Sequence, residues 1–141
     1  MSQSPILLVD DEEAVRESLG AWLREDGYQV ETAPDGQAAL DKLARHAYGV
    51  LLLDLKMPGL DGLQVLVEAK KRQPDLVAIL MTAFATVDTA VQAMKQGAHD
   101  YLVKPFDPEE LSQLVQRLTR ETALHRQDGG RLSSHPIVRR E

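Results

Sequence analysis

Five short apolar runs, each followed by a segment with helical spacing, constrain this chain more than any other feature. The runs are Ile6–Val9, Gln29–Ala33, Val50–Leu53, Val77–Met81 and Tyr101–Val103. Four are near-continuous in Val, Ile and Leu; the second (QVETA) is weaker and alternates. Near-continuous apolar strands belong to a sheet covered on both faces, and such sheets are parallel. Between the runs, Glu13–Asp26 places Val15, Leu19, Trp22 and Leu23 on one stripe, and Gln37–Arg45 groups Ala39, Leu40 and Leu43. Leu63–Arg72 turns Leu63, Val65, Leu66 and Ala69 inward, and Thr86–Gln96 does so with Val87, Ala90, Val91 and Met94 before Gly97 stops it. Pro108–His125 opens with Pro and two acids, a good helix N-terminus, and carries Leu111, Leu114, Val115 and Leu118. Five strand-then-helix units predict an α/β, doubly wound (βα)₅ sheet with right-handed crossovers.

Size and composition agree with that frame. A chain of 141 residues buries about two-thirds of its unfolded surface and needs no staples. It has no Cys, which excludes disulfides, zinc–thiolate sites and a cysteine nucleophile, and fits a cytoplasmic chain. Met1–Pro5 has no basic segment of a secretory signal, and the longest apolar run, Leu76–Met81, is far too short to span a membrane. With 16 Lys+Arg against 22 Asp+Glu the net charge is −6, which argues against direct nucleic-acid binding by this domain. From His125 onward the local charge is +2, and Gly129-Gly130, Ser133-Ser134 and Pro136 interrupt any pattern. The expected organisation is a domain over 1–124 and a linker or disordered tail over 125–141.

The chemistry follows from how the strands end. Asp10-Asp11 closes the first run, Asp54 the third, Thr82 the fourth and Lys104 the fifth. In a parallel sheet these ends share one edge, and ligands bind there, where strand order reverses. Three carboxylates together repel, and a divalent cation relieves them. All-oxygen ligands with no His or Cys nearby select Mg²⁺ over zinc. A carboxylate can also be a nucleophile that forms an aspartyl-phosphate. Asp54, alone at the end of the most central run, is the expected acceptor; Asp10 and Asp11 are the expected metal pair. Lys104 would offer a point charge to phosphoryl oxygens and Thr82 a hydroxyl.

Taken singly, each residue has a plainer reading. Asp10-Asp11 could cap the first helix, Asp54 could start the turn into Met57-Pro58-Gly59, Thr82 could be a strand-end Thr and Tyr101 a core aromatic. Trp22, Met57, Met81 and Met94 read as packing. His46, His99, His125 and His135 read as surface residues. The register of Asp10, Asp11, Asp54, Thr82 and Lys104 is what favours a site.

The stretches ILLVDDE (Ile6–Glu12), VLLLDLKMPGLDG (Val50–Gly62), MTAF (Met81–Phe84) and DYLVKPF (Asp100–Phe106) resemble the receiver domain of bacterial two-component response regulators. That resemblance implies a flavodoxin-like sheet of order 2-1-3-4-5. It implies that Asp54 takes a phosphoryl group from a sensor histidine kinase, with Mg²⁺ held by Asp10, Asp11, Asp54 and the Lys56 backbone carbonyl. It further implies a Thr82–Tyr101 switch pair and a cis Lys104–Pro105 peptide, in a signalling domain whose only chemistry is its own phosphorylation and dephosphorylation. The run Thr82–Asp107 resembles receivers of nitrogen-regulator-type, enhancer-binding transcription activators, which precede an ATPase and a DNA-binding domain. No Walker A motif or helix-turn-helix occurs here, so output would lie elsewhere, unless the chain is a stand-alone single-domain receiver. A weak homodimer through helix 4, strand 5 and helix 5 is expected, with Leu111, Leu114 and Leu118 leading to Thr122 and His125.

Other classes fit less well. A haloacid-dehalogenase-like phosphotransferase needs an acid two residues after its nucleophile, where Lys56 stands. A flavodoxin-like cofactor binder needs a Ser/Thr/Gly phosphate loop, where this chain has Asp10–Glu13. A degenerate receiver would lack one of the phosphorylation residues, and all are present.

Overall fold

The computed structural model describes residues 5–57, 59, 61–83 and 86–127, with side chains as far as residue 121. Pro58, Phe84 and the tail from Asp128 lie outside these residues, as do the side chains of Thr122 and His125. Strands β1 (Ile6–Val9), β2 (Val30–Ala33), β3 (Val50–Asp54), β4 (Val77–Thr82) and β5 (Asp100–Val103) alternate with five helices. These are α1 (Glu13–Glu25), α2 (Gly36–Arg45), α3 (Gly62–Arg72), α4 (Val87–Lys95) and α5 (Pro108–Gln127). All strand pairs are parallel, in the order β2-β1-β3-β4-β5. The doubly wound fold expected from periodicity is therefore present, and strand order reverses beside β1, between β1 and β3.

The pleat divides the core in two. Leu7, Val9, Leu51, Leu53, Ala78 and Leu80 face α2 and α3. Ile6, Leu8, Leu52, Val77, Ile79 and Met81 face α1 and α5. With both faces covered, β1, β3 and β4 are buried along their whole length. Helix starts are fixed locally. Asp35 caps α2 through Ala38 N–H at 2.8 Å, and Asp61 with Gln64, and Thr86 with Thr89, form reciprocal caps on α3 and α4.

Four expectations need correction. Strands β3 and β4 run one residue further, so Asp54 and Thr82 are themselves ladder residues. Trp22 is 41% exposed rather than core; Leu19 and Leu23 fill the sheet-facing side of α1, and the indole N–H donates to Ser112 Oγ at 2.6 Å. Helix α4 does not bury Val87, Val91 and Met94, which are exposed. Toward the sheet it turns Thr89, Ala90 and Ala93, which line a small cavity with Leu80 and Tyr101, and of the helix residues only Ala93 is fully buried. His99 is not a free surface residue: its Nδ1 accepts the Ala78 N–H at 3.1 Å, while its own N–H donates to Ala78 O at 2.7 Å.

Two glycines test the packing. A Cβ at Gly62 would lie 2.6 Å from the Leu55 carbonyl oxygen and 2.7 Å from Leu55 Cα, both rigid backbone. A Cβ at Gly20, inside α1, meets only the flexible end of Arg24 at 3.4 Å. Gly62→Ala is expected to cost about 1–3 kcal/mol, whereas Gly20→Ala is expected to gain about 0.5–1 kcal/mol through helix propensity. Denaturant midpoints decide; equal shifts in the two variants would contradict this packing.

Candidate functional site

The parallel ladder carries four strand ends to one edge. Asp10 follows β1, Asp54 ends β3, Thr82 ends β4 and Lys104 follows β5. Asp10, Asp54 and Thr82 are buried at 0%, 5% and 2% exposure, unusual for such groups, whereas Asp11 is exposed. Carboxylate oxygens of Asp10, Asp11 and Asp54 lie within 4.8 Å of one another. The Lys104 ammonium stands between two of them, 2.8 Å from Asp10 Oδ2 and 3.4 Å from Asp54 Oδ2.

The second oxygens of Asp10 and Asp54 each accept a backbone N–H. Asp10 Oδ1 accepts the Glu12 N–H at 3.0 Å and Asp54 Oδ1 accepts the Lys56 N–H at 3.2 Å. Asp10 is thus no helix cap: Glu12 is the N-cap of α1 and its side chain makes no capping bond. Arg16, which the sequence reading passed over, donates from Nη1 to the Asp10 carbonyl at 2.7 Å. No sequence signal marked it, because its spacing from the loop is that of any first-turn helix residue.

Charge makes the cluster expectant. Like charges about 4 Å apart cost about 4 kcal/mol at an effective dielectric of 20. Three carboxylates and one ammonium leave −2, the charge that one divalent cation cancels. Burial pushes the Asp54 carboxyl above its ordinary pKa and Asp10 adds to this, against the opposing pulls of the Lys56 N–H and Lys104. Burial pulls the Lys104 ammonium down, but its bonds and attraction to Asp10 and Asp54 outweigh that and hold it above its ordinary value.

Thr82 and Tyr101 border the same small cavity of about 10 Å³, whose other walls are Leu55, Leu80, Thr89, Ala90 and Ala93. That is the space of a single water, but the walls are apolar. Tyr101 is half-buried against the core. The Lys104 N–H bonds the Thr82 carbonyl at 2.7 Å, which ties β5 to β4 just behind the cluster. The Lys104–Pro105 peptide is cis. The five site residues predicted from strand ends therefore converge at one edge, and Tyr101 lies across the cavity from Thr82.

Folding raises the Asp54 pKa, so this carboxyl favours the native state only when protonated. Its contribution is present below the unfolded value of about 3.9 and is lost as pH rises through the native value. Asp54→Asn, which cannot ionise, is expected to raise the thermal midpoint of the metal-free protein at neutral pH, with the gap narrowing toward about pH 4. A parent as stable as the variant at neutral pH would contradict the charge argument.

Comparison with known proteins agrees with this geometry. The response regulator receiver domain family matches residues 6–116. Curated relatives include the response regulator protein FleR of Pseudomonas aeruginosa, 46% identical over 79% of this chain and 24% of its own length. The DNA-binding transcriptional regulator NtrC of Escherichia coli is 43% identical over 83% of this chain and 25% of its own. The chain thus spans about a quarter of the length of these relatives. Among solved structures, a CheY-like receiver domain protein from Methanospirillum hungatei superposes with a TM-score of 0.86 at 30% identity, covering 88% of this chain and 99% of that one. NtrX from Brucella abortus gives 0.83 at 33% identity, over 89% of this chain and 28% of its own. With the match running from the start of β1 into α5, and the acidic cluster, Thr82 and Lys104 on one sheet edge, the chain belongs to the response regulator receiver domain family and is homologous to transcription-activating regulators.

Proposed function

We propose that this domain is a phosphorylation-controlled switch in which Asp54 accepts a phosphoryl group from a sensor histidine kinase. The observation that carries the reading is the position of Asp54: a buried carboxylate within reach of two further carboxylates and one ammonium. The donor set fits Mg²⁺, with Asp10, Asp11, Asp54 and the backbone carbonyl of Lys56 as the residues that would hold it. Bound there, Mg²⁺ would neutralise carboxylate and phosphoryl charge.

The chain's own residues do the rest. An Asp54 carboxylate oxygen attacks the phosphorus of the donor, the bond from phosphorus to the imidazole nitrogen breaks, and an acyl phosphate results. Lys104, already 3.4 Å from Asp54, pairs with a phosphoryl oxygen. Thr82 donates its hydroxyl to another. Such a bond to a charged group contributes about 1.5–3 kcal/mol, enough to shift a two-state equilibrium roughly 10- to 150-fold. Thr82 moves toward the phosphoryl group, and Tyr101 turns into the apolar cavity between them.

The readout falls on the face of α4, β5 and α5. Val87, Val91, Met94 and Val103 are exposed there, an apolar surface at odds with the acidic chain. This face forms a weak homodimer whose affinity or geometry changes on phosphorylation. In a longer cytoplasmic regulator, α5 would lead through residues 125–141 to an ATPase and a DNA-binding domain that control transcription, with residues 1–124 as the receiver proper. Among the described residues no helix is long and apolar enough to cross a membrane.

Asp54→Asn is expected to abolish the gain of one phosphoryl group in intact mass after treatment with acetyl phosphate and Mg²⁺, since the nucleophilic oxygen is gone and the shape kept. Labelling at an unchanged rate would sink the assignment. Lys104→Ala is expected to accept phosphate, slowly, yet to lose the conformational change. For assembly, sedimentation with and without beryllofluoride should show a phosphate-mimic-dependent dimer. A monomer at high micromolar concentration in both states removes the dimer and leaves the single-domain switch.

A further inference from the structure

Asp11 poses a problem that the acidic cluster does not solve. Its carboxylate is exposed, has no hydrogen bond or ion pair among the described residues, and still stands within 4.8 Å of oxygens from Asp10 and Asp54. With two side-chain torsions, two like charges beside it and no partner among the described residues, it has no side-chain contact to keep it near the cluster. What holds it must act through the main chain.

Both peptide groups flanking Asp11 are pinned. The group between Asp10 and Asp11 is held by its carbonyl, which accepts Arg16 Nη1 at 2.7 Å. The group between Asp11 and Glu12 is held by its N–H, which donates to Asp10 Oδ1 at 3.0 Å. Asp10 is fixed in turn by its own N–H on the Ala33 carbonyl at 3.2 Å and by Lys104 on Oδ2. Arg16 is half-buried in the first turns of α1, so its guanidinium reaches back over the loop from a rigid base. We propose that Arg16 is a positioning residue for the metal site: it fixes the Asp10–Asp11 peptide and so aims the Asp11 carboxylate at the cluster. The inference rests on the Mg²⁺ reading above.

A plain electrostatic role would have the opposite sign. Arg16 is a cation beside a cation site, so if charge were all, removing it would tighten Mg²⁺. If the clamp matters more, removing it releases Asp11 and weakens Mg²⁺. Losing a group that orients a metal ligand typically costs about tenfold or more in affinity.

Mg²⁺ titration calorimetry on the parent, Arg16→Met and Arg16→Lys decides between them, with amide hydrogen exchange at Glu12 followed by NMR in the metal-free proteins. Arg16→Met keeps most of the aliphatic stem. It is expected to bind Mg²⁺ about tenfold more weakly than the parent, and to exchange faster at the Glu12 amide, whose N–H is bonded to Asp10 Oδ1. Arg16→Lys, which keeps charge and a donor, should recover most of the affinity. Arg16→Met binding Mg²⁺ as tightly as the parent, or more tightly, overturns the proposal, as does unchanged exchange at the Glu12 amide. A parent that binds no Mg²⁺ overturns the metal reading itself, and exchange then still decides whether Arg16 clamps the loop.

Discussion

Like charge held together at one sheet edge is the constraint on which the rest depends. The parallel ladder brings Asp10 and Asp54 side by side because Val9 pairs with Leu53, one position earlier on each strand. No local preference would choose that arrangement, since the two carboxylates repel and both are out of water. The burial of the hydrophobic sheet imposes it. Lys104 makes it tolerable in the absence of a cation, arriving from just after β5, 50 positions along the chain from Asp54. The fold thus stabilises a poised site rather than a neutral one. Its residual −2 is the charge that one divalent cation would cancel.

The same geometry connects the cluster to a distant face. Thr82 ends the strand next to Asp54, and its carbonyl holds the N–H of Lys104. Tyr101 and Thr82 border one apolar cavity, with Ala90 and Ala93 of α4 as its far wall. A shift of Thr82 toward Asp54 therefore has somewhere to propagate. Helix α4 is the element best placed to respond: it buries only Ala93 fully, and leaves Val87, Val91 and Met94 outside. An element with few buried contacts opens at low free-energy cost, and an apolar face that none of the described residues covers suits a partner.

Much of this could be read from the residues, for identifiable reasons. Apolar spacing reports how a segment packs, and five strand-then-helix alternations, four of them clean, pointed to a doubly wound parallel sheet, whose strand order came from the family resemblance. Strand-end chemistry followed, because topology fixes which ends share an edge. Periodicity failed where it names an apolar face but cannot say what covers it. On α4 Val87, Val91 and Met94 of the expected stripe are turned outward, while Ala90 stays on the sheet side beside Ala93. Trp22 failed similarly, since Leu19 and Leu23 had already filled the sheet-facing side of α1. Arg16 and His99 were illegible because each acts on main-chain groups, the Asp10 carbonyl and the Ala78 N–H, whose free valences depend on the finished fold.

The central claim is that this edge makes one carboxylate, Asp54, the phosphoryl acceptor. The most direct measurement is to trap the acyl phosphate chemically. Protein treated with acetyl phosphate and Mg²⁺, then reduced with borohydride and digested, should yield homoserine in place of aspartate at position 54, and only when Mg²⁺ is present. Homoserine at Asp10 or Asp11, or at no position despite incorporated phosphate, would contradict the account.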